Sequence, residues 1–192
     1  MRTSSARIEP IQLEHASDEV REMLESVRWN GVVPNLHRTM ATYPSALTAF
    51  KAWGKHVLRG GNSLSDRQRE IMVLRVGWLC RAGYEWVAHV EIGKDAGLTD
   101  AEIEQLKVGS SHADWAPEDR DLVRAAEEIH ADRFVSDETW NALSAHLDRN
   151  QCMDVVFTIA QYELVCTILN SFGVQFDGDR KLPADVRTAW NL

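Results

Sequence analysis

Hydrophobic residues recur along the chain at the three-to-four-residue spacing of helices that bury one side. The clearest stripe comprises Val155, Ile159, Tyr162, Cys166 and Leu169, which are separated by four, three, four and three positions. No two neighbouring segments combine strict alternation with the short turn of a β-hairpin. The pattern therefore predicts an all-α fold with about seven or eight helices.

Capping residues, prolines and glycines set the boundaries of these helices. Ser65 with Gln68, and Thr99 with Glu102, have the spacing of capping boxes. The helix after Ser65 carries apolar residues on all sides, which predicts that it is mostly buried. The predicted helices cover about residues 17–27, 44–58, 66–80, 82–96, 99–109, 117–131, 137–147 and 152–172, and residues 34–40 predict a helical turn or two.

Length and composition favour a single compact domain. The chain has 192 residues, of which 44% are hydrophobic and 26% are charged, as in ordinary globular proteins. The formal net charge of -8 makes nucleic acid an unfavourable partner, because its phosphates would be repelled. The three cysteines, Cys80, Cys152 and Cys166, are too few for a disulfide framework and suit a reducing compartment.

The sequence also predicts a cytoplasmic protein. The first twenty residues include Glu14, His15, Asp18 and Glu19 and lack the apolar centre of an export signal. The most apolar stretch, residues 155–169, is interrupted by polar side chains and is expected to be too short to span a bilayer. We therefore expect no membrane partner.

Candidate chemistry is concentrated in residues 70–89. Glu85 and His89 are four positions apart, so a helix places them on one face in adjacent turns. Glu70 belongs to the preceding, buried helix, where a partly desolvated carboxylate is suited to proton transfer. Together they outline a general acid–base group. A purely structural interpretation stays open, since Glu70 could pair with Arg67 or Arg75, and Glu85 with His89 could simply stabilise their helix.

The same three side chains could supply two carboxylates and an imidazole to a metal ion. No second ligand cluster and no His-x-x-x-His pair accompanies them. We therefore predict no metal and no other cofactor.

Several motifs resemble those of the carboxymuconolactone decarboxylase family, which includes the alkyl hydroperoxidase D enzymes. The matching segments are Leu64-Ser-Asp-Arg-Gln-Arg-Glu70, Leu74-Arg-Val76, Tyr84-Glu-Trp-x-x-His89 and Ala96-Gly-Leu-Thr-Asp-Ala-Glu-Ile103, with Pro34-Asn-Leu-His-Arg-Thr-Met40 and Pro44 before them. The resemblance is close over about residues 32–108. It implies an alkyl hydroperoxidase D-like helical core over 32–175, an N-terminal extension over 1–31 and a C-terminal tail over 176–192.

The peroxidase branch of that family has the pattern Glu-x11-Cys-x2-Cys-x3-His. Aligned on His89, this pattern places its glutamate at Glu70 and its two redox cysteines at Ala82 and Glu85. The histidine of the branch's proton relay falls at Tyr84. Cys80 lies two positions from the nearer cysteine site, which on a helix is a rotation of about 200°. The two ends of the relay are thus present, while the thiol pair is absent.

The resemblance therefore implies a cysteine-independent lyase acting on a small carboxylated lactone or related acid. In this interpretation His89 is the general acid or base, and Glu85 or Glu70 orients it. Tyr84 donates a hydrogen bond to a substrate oxygen, Trp86 packs on the substrate, and Ala82 and Cys80 line the pocket.

Two alternatives stay open. The first is an alkyl hydroperoxidase-like peroxidase that uses Cys80, with peroxiredoxin activity, and the second is a non-catalytic family member. The resemblance also implies a homo-oligomer, either a trimer or a hexamer.

Overall fold

The computed structural model describes residues 2–192, and within them it contains ten α-helices and no β-strand. The helices are α1 (Asp18–Glu25), α2 (Asn35–Met40), α3 (Pro44–Lys55), α4 (Asp66–Leu79), α5 (Gly83–Asp95), α6 (Asp100–Val108), α7 (Pro117–Asp132), α8 (Asp137–Ser144), α9 (Arg149–Phe172) and α10 (Ala184–Trp190). The all-α prediction is confirmed. The number of helices is slightly higher than expected, because the helical turn or two predicted at residues 34–40 forms α2 and because α10 lies in a segment that the sequence had assigned to a tail.

The predicted capping motifs begin several of these helices. The Ser65 side chain accepts from the backbone N–H of Gln68, and the Gln68 side chain in turn accepts from the Ser65 N–H. Thr99 and Glu102 make the same reciprocal contacts before α6. These boxes satisfy backbone donors that a helix leaves unpaired at its first turn.

Helix α4 lies at the centre of the bundle and packs against α5, α7 and α9. Five of its apolar side chains are completely buried, as expected from its all-round apolar sequence. These side chains are Ile71, Met72, Val73, Leu74 and Val76. The helices that carry the candidate residues are therefore the innermost helices of the fold.

Helix α9 is longer than its apolar stripe suggested. It begins at Arg149, after a capping box formed by Asp148 and Gln151, and runs for 24 residues. By length and composition alone it is able to cross a membrane, so the prediction that this stretch is too short is wrong. About 56% of its most apolar window is buried within the bundle, where it packs on α4, α7 and α8. Burial of this kind is typical of the core helix of a globular domain.

Both terminal segments pack on the helical core. The backbone N–H groups of Arg7 and Ile8 donate to the carbonyl oxygen of Phe172 at the end of α9. In α10, Val186 and Trp190 are buried, and the Trp190 ring lies 5.1 Å from that of Trp78. Residues 176–192 thus contribute side chains to the folded bundle.

A glycine allows α5 to approach α4 closely. A Cβ atom added at Gly93 would lie only 3.0 Å from Leu98 Cδ1 and 3.1 Å from Leu74 Cδ1. Such contacts are tighter than side chains normally tolerate. Gly93 lies one turn after His89 and Leu74 one turn after Glu70, so this close approach sets the distance between the two candidate side chains.

Candidate active site

His89 is held between two buried carboxylates. Its Nδ1 atom lies 2.7 Å from Oε2 of Glu70 on α4, and its Nε2 atom lies 2.9 Å from Oε1 of Glu85 on α5. The exposed fraction of the side chain is 11% for His89 and 4% for each glutamate. The structure therefore brings together the three residues that the sequence singled out as an acid–base group.

The two carboxylates contact the imidazole in different ways. Glu70 forms an aligned hydrogen bond with Nδ1, which fixes the orientation of the ring. Glu85 Oε1 lies within ion-pair distance of His89 Nε2, but the angle between them does not suit a hydrogen bond. Among the described residues, no other donor forms a hydrogen bond with this buried oxygen. Glu70 is thus placed to position His89, and Glu85 retains an acceptor that can exchange a proton.

The electrostatic surroundings favour the protonated form of His89. Burial by itself lowers the pKa of this imidazole, but the negative charges of Glu70 and Glu85, and the hydrogen bond with Glu70, outweigh burial and raise it to about 10. At neutral pH the group is therefore an imidazolium between two carboxylates. This cation offsets the cost of burying two negative charges.

Tyr162 closes the site from α9. Its ring meets the His89 ring edge-to-face, with 5.2 Å between centroids and 84° between planes. Burial, together with the charges of Glu85 and Glu70, raises the pKa of Tyr162 well above its usual value. Tyr162 therefore carries its hydroxyl proton at neutral pH, and the α9 stripe contributes directly to the site.

The positions of the carboxylates do not suit a shared metal ion. Glu70 and Glu85 contact opposite nitrogens of the same imidazole, and one ion binds only one of these nitrogens. An ion there would lose one of the two carboxylates as a ligand. The arrangement fits proton transfer better than coordination by all three residues.

A cavity of about 590 Å³ opens in front of the imidazole. His89, Glu85 and Tyr162 lie on its wall, while Glu70 lies outside the lining. Apolar side chains from α2, α3, α5 and α9 form much of the remaining surface. These are Leu36, Phe50, Ile92 and Val165. A mainly apolar cavity with a few convergent polar groups is the usual form of a small-molecule site.

Cations also line this cavity. Lys51 Nζ donates to the Met23 carbonyl oxygen at 2.8 Å and to Ser26 Oγ at 2.6 Å, and burial lowers its pKa. Arg180 is paired with Glu91 and lies over the Trp29 ring. Lys55 is exposed and has no ion-pair partner among the residues that the structure describes. The cavity therefore provides positive charge to counter the acidic group beside His89.

Tyr84 lines the cavity, but its hydroxyl already has an acceptor. Tyr84 Oη donates to Asp177 Oδ2 at 2.5 Å, and Asp177 Oδ1 accepts from the Asn35 N–H at 2.7 Å. Burial and the charge of Asp177 raise the pKa of Tyr84 well above its usual value. Tyr84 thus fixes the segment after α9 against α5. To donate to a substrate oxygen, as the sequence predicts, it must first release Asp177.

Trp86 and Ala82 lie outside the cavity lining. The Trp86 ring packs 5.1 Å from Trp78 and 6.5 Å from Trp190, on the side of α4 and α10. Tyr84, Glu85 and His89 take up the side of α5 that faces the cavity, and Trp86, about 200° around the helix from Tyr84, points away from it. Ala82 is buried at the start of α5. For these two residues the structure gives a packing role in place of the predicted pocket role.

Cys80 also lies away from the cavity, at the end of α4. Its Sγ atom is 3.5 Å from Oε1 of Glu163 and 3.8 Å from Nδ1 of His130. A hydrogen bond with Cys80, followed by burial, raises the pKa of the neighbouring Cys166 thiol. The Cys166 thiol therefore lies beside that of Cys80, although the two residues are far apart in the sequence. The sequence analysis missed this proximity.

The comparisons with known proteins agree with the fold and the motif. Residues 44–128 match the sequence model of the carboxymuconolactone decarboxylase family. No curated protein matches the chain.

Several solved structures share the architecture. An alkylhydroperoxidase D core protein from Ralstonia eutropha JMP134, described as an uncharacterized peroxidase-related protein, is 24% identical, with a TM-score of 0.79 over 91% of this chain and 93% of that one. A peroxidase-related protein from Silicibacter sp. TM1040 is 17% identical, with a TM-score of 0.78 over 92% and 96%. The debrominase Bmp8, solved with 2,3,4-tribromopyrrole, is 13% identical, with a TM-score of 0.76 over 98% of each chain.

The raised pKa of His89 predicts a specific pH dependence of stability. A histidine whose pKa rises from 6.5 to about 10 on folding stabilises the protein fully below about pH 6.5, and this contribution is lost as the pH rises towards 10. Denaturant unfolding of the wild type and of His89→Gln should therefore show a wild-type advantage that shrinks across this range. His15→Gln, at an exposed position, is the control and should follow the wild type. A difference between wild type and His89→Gln that stays constant from pH 6 to 10 would contradict the assignment.

Proposed function

We propose that the chain is a cysteine-independent acid–base enzyme of the carboxymuconolactone decarboxylase and alkyl hydroperoxidase D-like superfamily, whose sequence model it matches over residues 44–128. Its substrate is a small carboxylated lactone or a related acid, bound in the cavity in front of His89. The observation that carries the proposal is the buried Glu70–His89–Glu85 group at a cavity whose lining contains no cysteine.

The proposed reaction is loss of CO2 from the bound acid. Cleavage of the bond to the carboxylate leaves an electron pair on carbon, which a neighbouring carbonyl can accept as an enolate. The enzyme then delivers a proton to that carbon. His89 supplies positive charge close to the developing anion, and its Nε2 side faces the cavity with Glu85.

The two glutamates have different roles in this proposal. Glu70 is a positioning residue, because it bonds Nδ1 and lies outside the cavity lining. Glu85 relays the proton between His89 and the substrate, since it lines the cavity and its Oε1 has no aligned partner. Tyr84 donates to a substrate oxygen once it releases Asp177.

Charge in the cavity supports a carboxylated substrate. The group at His89 has a net charge of about one negative unit, from two carboxylates and one imidazolium, and by itself repels an acid. Lys55 and Arg180 on the same cavity wall counter this repulsion. Lys55 is the better anchor, because Arg180 is already paired with Glu91.

The proposal also covers the cellular location, the oligomeric state and the partners of the enzyme. We propose a cytoplasmic homo-oligomer, a trimer or a hexamer, with a small-molecule substrate and no nucleic-acid partner. The charge of -8 supports the last point. Exposed apolar side chains such as Trp140 and Leu164 supply surface that a subunit contact could cover.

We predict that His89→Gln abolishes turnover and leaves the fold intact. The glutamine removes the imidazole that contacts Glu70 and Glu85 and keeps a polar side chain of similar length. The measurement is the loss of ultraviolet absorbance when purified protein is given a panel of carboxylated lactones, with circular dichroism as the check on folding. His15→Gln should keep wild-type activity, and a folded His89→Gln variant with near wild-type turnover would overturn the assignment.

A second candidate function is hydroperoxide reduction at Cys80, and the observation that favours it is the adjacent Cys166 thiol. The Cys80 thiolate would attack the peroxide, forming a sulfenic acid and releasing an alcohol. Cys166 would then condense with the sulfenic acid, giving a disulfide and water. An external dithiol would reduce the disulfide and restore both thiols.

Cys80→Ser separates the two functions. Any dithiol-dependent peroxide reduction should vanish in this variant, because serine is not oxidised by the peroxide, while lyase turnover should be unchanged. Cys152→Ser is the matched control, since Cys152 lies near Leu147, away from Cys80. Peroxide reduction by wild type and by Cys152→Ser but not by Cys80→Ser would favour the second function. Lyase activity that disappears in Cys80→Ser would contradict the first.

A further inference from the structure

A second cluster of chemically active side chains lies outside the cavity, where the end of α4 meets α7 and α9. It consists of Cys80, His130 and Glu163. Their potential ligand atoms all lie within 4.8 Å of one another. None of the three residues lines the cavity in front of His89, so the proposed lyase reaction does not use them.

The three atoms form a compact triangle. Cys80 Sγ lies 3.8 Å from Nδ1 of His130 and 3.5 Å from Oε1 of Glu163. Nδ1 of His130 lies 2.7 Å from the same Oε1. One sulfur, one nitrogen and one oxygen are therefore close enough to contact a single ion.

This triangle is close to the one that a zinc ion imposes on its ligands. Bonds of about 2.3 Å to sulfur and about 2.0 Å to nitrogen and oxygen, at tetrahedral angles, place the ligand atoms roughly 3.3–3.6 Å apart. Both edges that include the sulfur already match this spacing to within a few tenths of an ångström. Only the His130–Glu163 edge must lengthen, which follows when the ion replaces the proton between them.

The surroundings hold the ligands in place and leave access to solvent. The Cys80 carbonyl oxygen accepts from Arg2 and from Asn170, each at 3.0 Å, which fixes the backbone at this cysteine. Arg133 contacts the other oxygen of Glu163, at 3.4 Å, so Oε1 remains available. The side chains of His130 and Glu163 are 32% and 16% exposed, which gives an ion a route to the cluster.

We propose that Cys80, His130 and Glu163 bind a borderline-soft divalent cation of the zinc class, with a fourth position open to water. A thiolate, an imidazole and a carboxylate are the ligands that zinc takes in proteins. The thiolate and carboxylate together balance the charge of the ion. Binding displaces the Cys80 thiol proton to solvent and leaves Nδ1 of His130 unprotonated, with the imidazole proton on Nε2.

The test is zinc binding by the full chain after treatment with a chelator. Zn²⁺ is titrated in competition with a chromophoric chelator, and the wild type should bind one ion per chain. Cys80→Ser, His130→Gln and Glu163→Gln should each weaken binding by at least about tenfold, since each removes a ligand. Cys152→Ser and His15→Gln are matched controls outside the cluster and should bind as the wild type does.

Two further measurements keep the outcome decisive even if one variant folds poorly. Co²⁺ in place of Zn²⁺ should give a thiolate-to-metal charge-transfer band in the wild type and none in Cys80→Ser. Zn²⁺ should also protect Cys80 from alkylation in the wild type, as measured by mass spectrometry of the peptide. No zinc binding by the wild type would overturn the proposal, as would undiminished binding by Cys80→Ser.

His89→Gln distinguishes this site from the proposed lyase site. Binding that survives in His89→Gln supports the Cys80 cluster, while binding lost only in His89→Gln overturns it. This experiment measures metal binding and the earlier one measures lyase turnover. A negative result for zinc binding therefore does not bear on the lyase proposal, and a negative result for lyase turnover does not bear on the zinc site.

Discussion

The burial of His89 between Glu70 and Glu85 is the constraint on which the site depends. Three ionisable side chains are taken out of water here, and a carboxylate buried alone would be strongly destabilising. The imidazolium compensates for this cost only if both carboxylates lie within contact of the ring. The innermost helices meet that requirement: α5 carries Glu85 and His89 one turn apart, and Gly93 lets α4 come close enough to supply Glu70.

The two glutamates and the cysteines occupy different positions relative to the cavity. Glu70 bonds Nδ1 from outside the lining of the cavity and Glu85 lies on its wall, so in the proposed reaction Glu70 positions the ring and Glu85 exchanges a proton with the bound substrate. The residue at the second redox-cysteine site of the peroxidase branch is Glu85, which here completes the charged group. The thiols lie elsewhere, with Cys80 in a separate cluster with His130 and Glu163. The candidate acid–base group and the Cys80 thiol therefore lie in different parts of the fold.

Local sequence patterns predicted the helices and the charged group, but not the residues that surround it. Capping boxes at Ser65 and Thr99 and the four-residue spacing of Glu85 and His89 depend on neighbours in the chain, so they can be recognised directly. Tyr162 and Asp177 reach the site only because α9 and the segment after it fold back on α5. The sequence placed Tyr162 only in the apolar stripe of its helix, and no local signal marks Asp177. The misplacement of Trp86 has a simpler cause, since on α5 it lies about 200° around the helix from the cavity-lining Tyr84, on the side that packs against Trp78 and Trp190.

The protonation state of His89 is the most direct test of this account. Nitrogen-15 NMR of the imidazole ring, followed with pH and assigned by comparison with His89→Gln, reports the state of Nδ1 and Nε2 separately. The account predicts that both nitrogens stay protonated through neutral pH and titrate at about 10. A His89 ring that loses its proton near 6.5, like an exposed histidine, would contradict it.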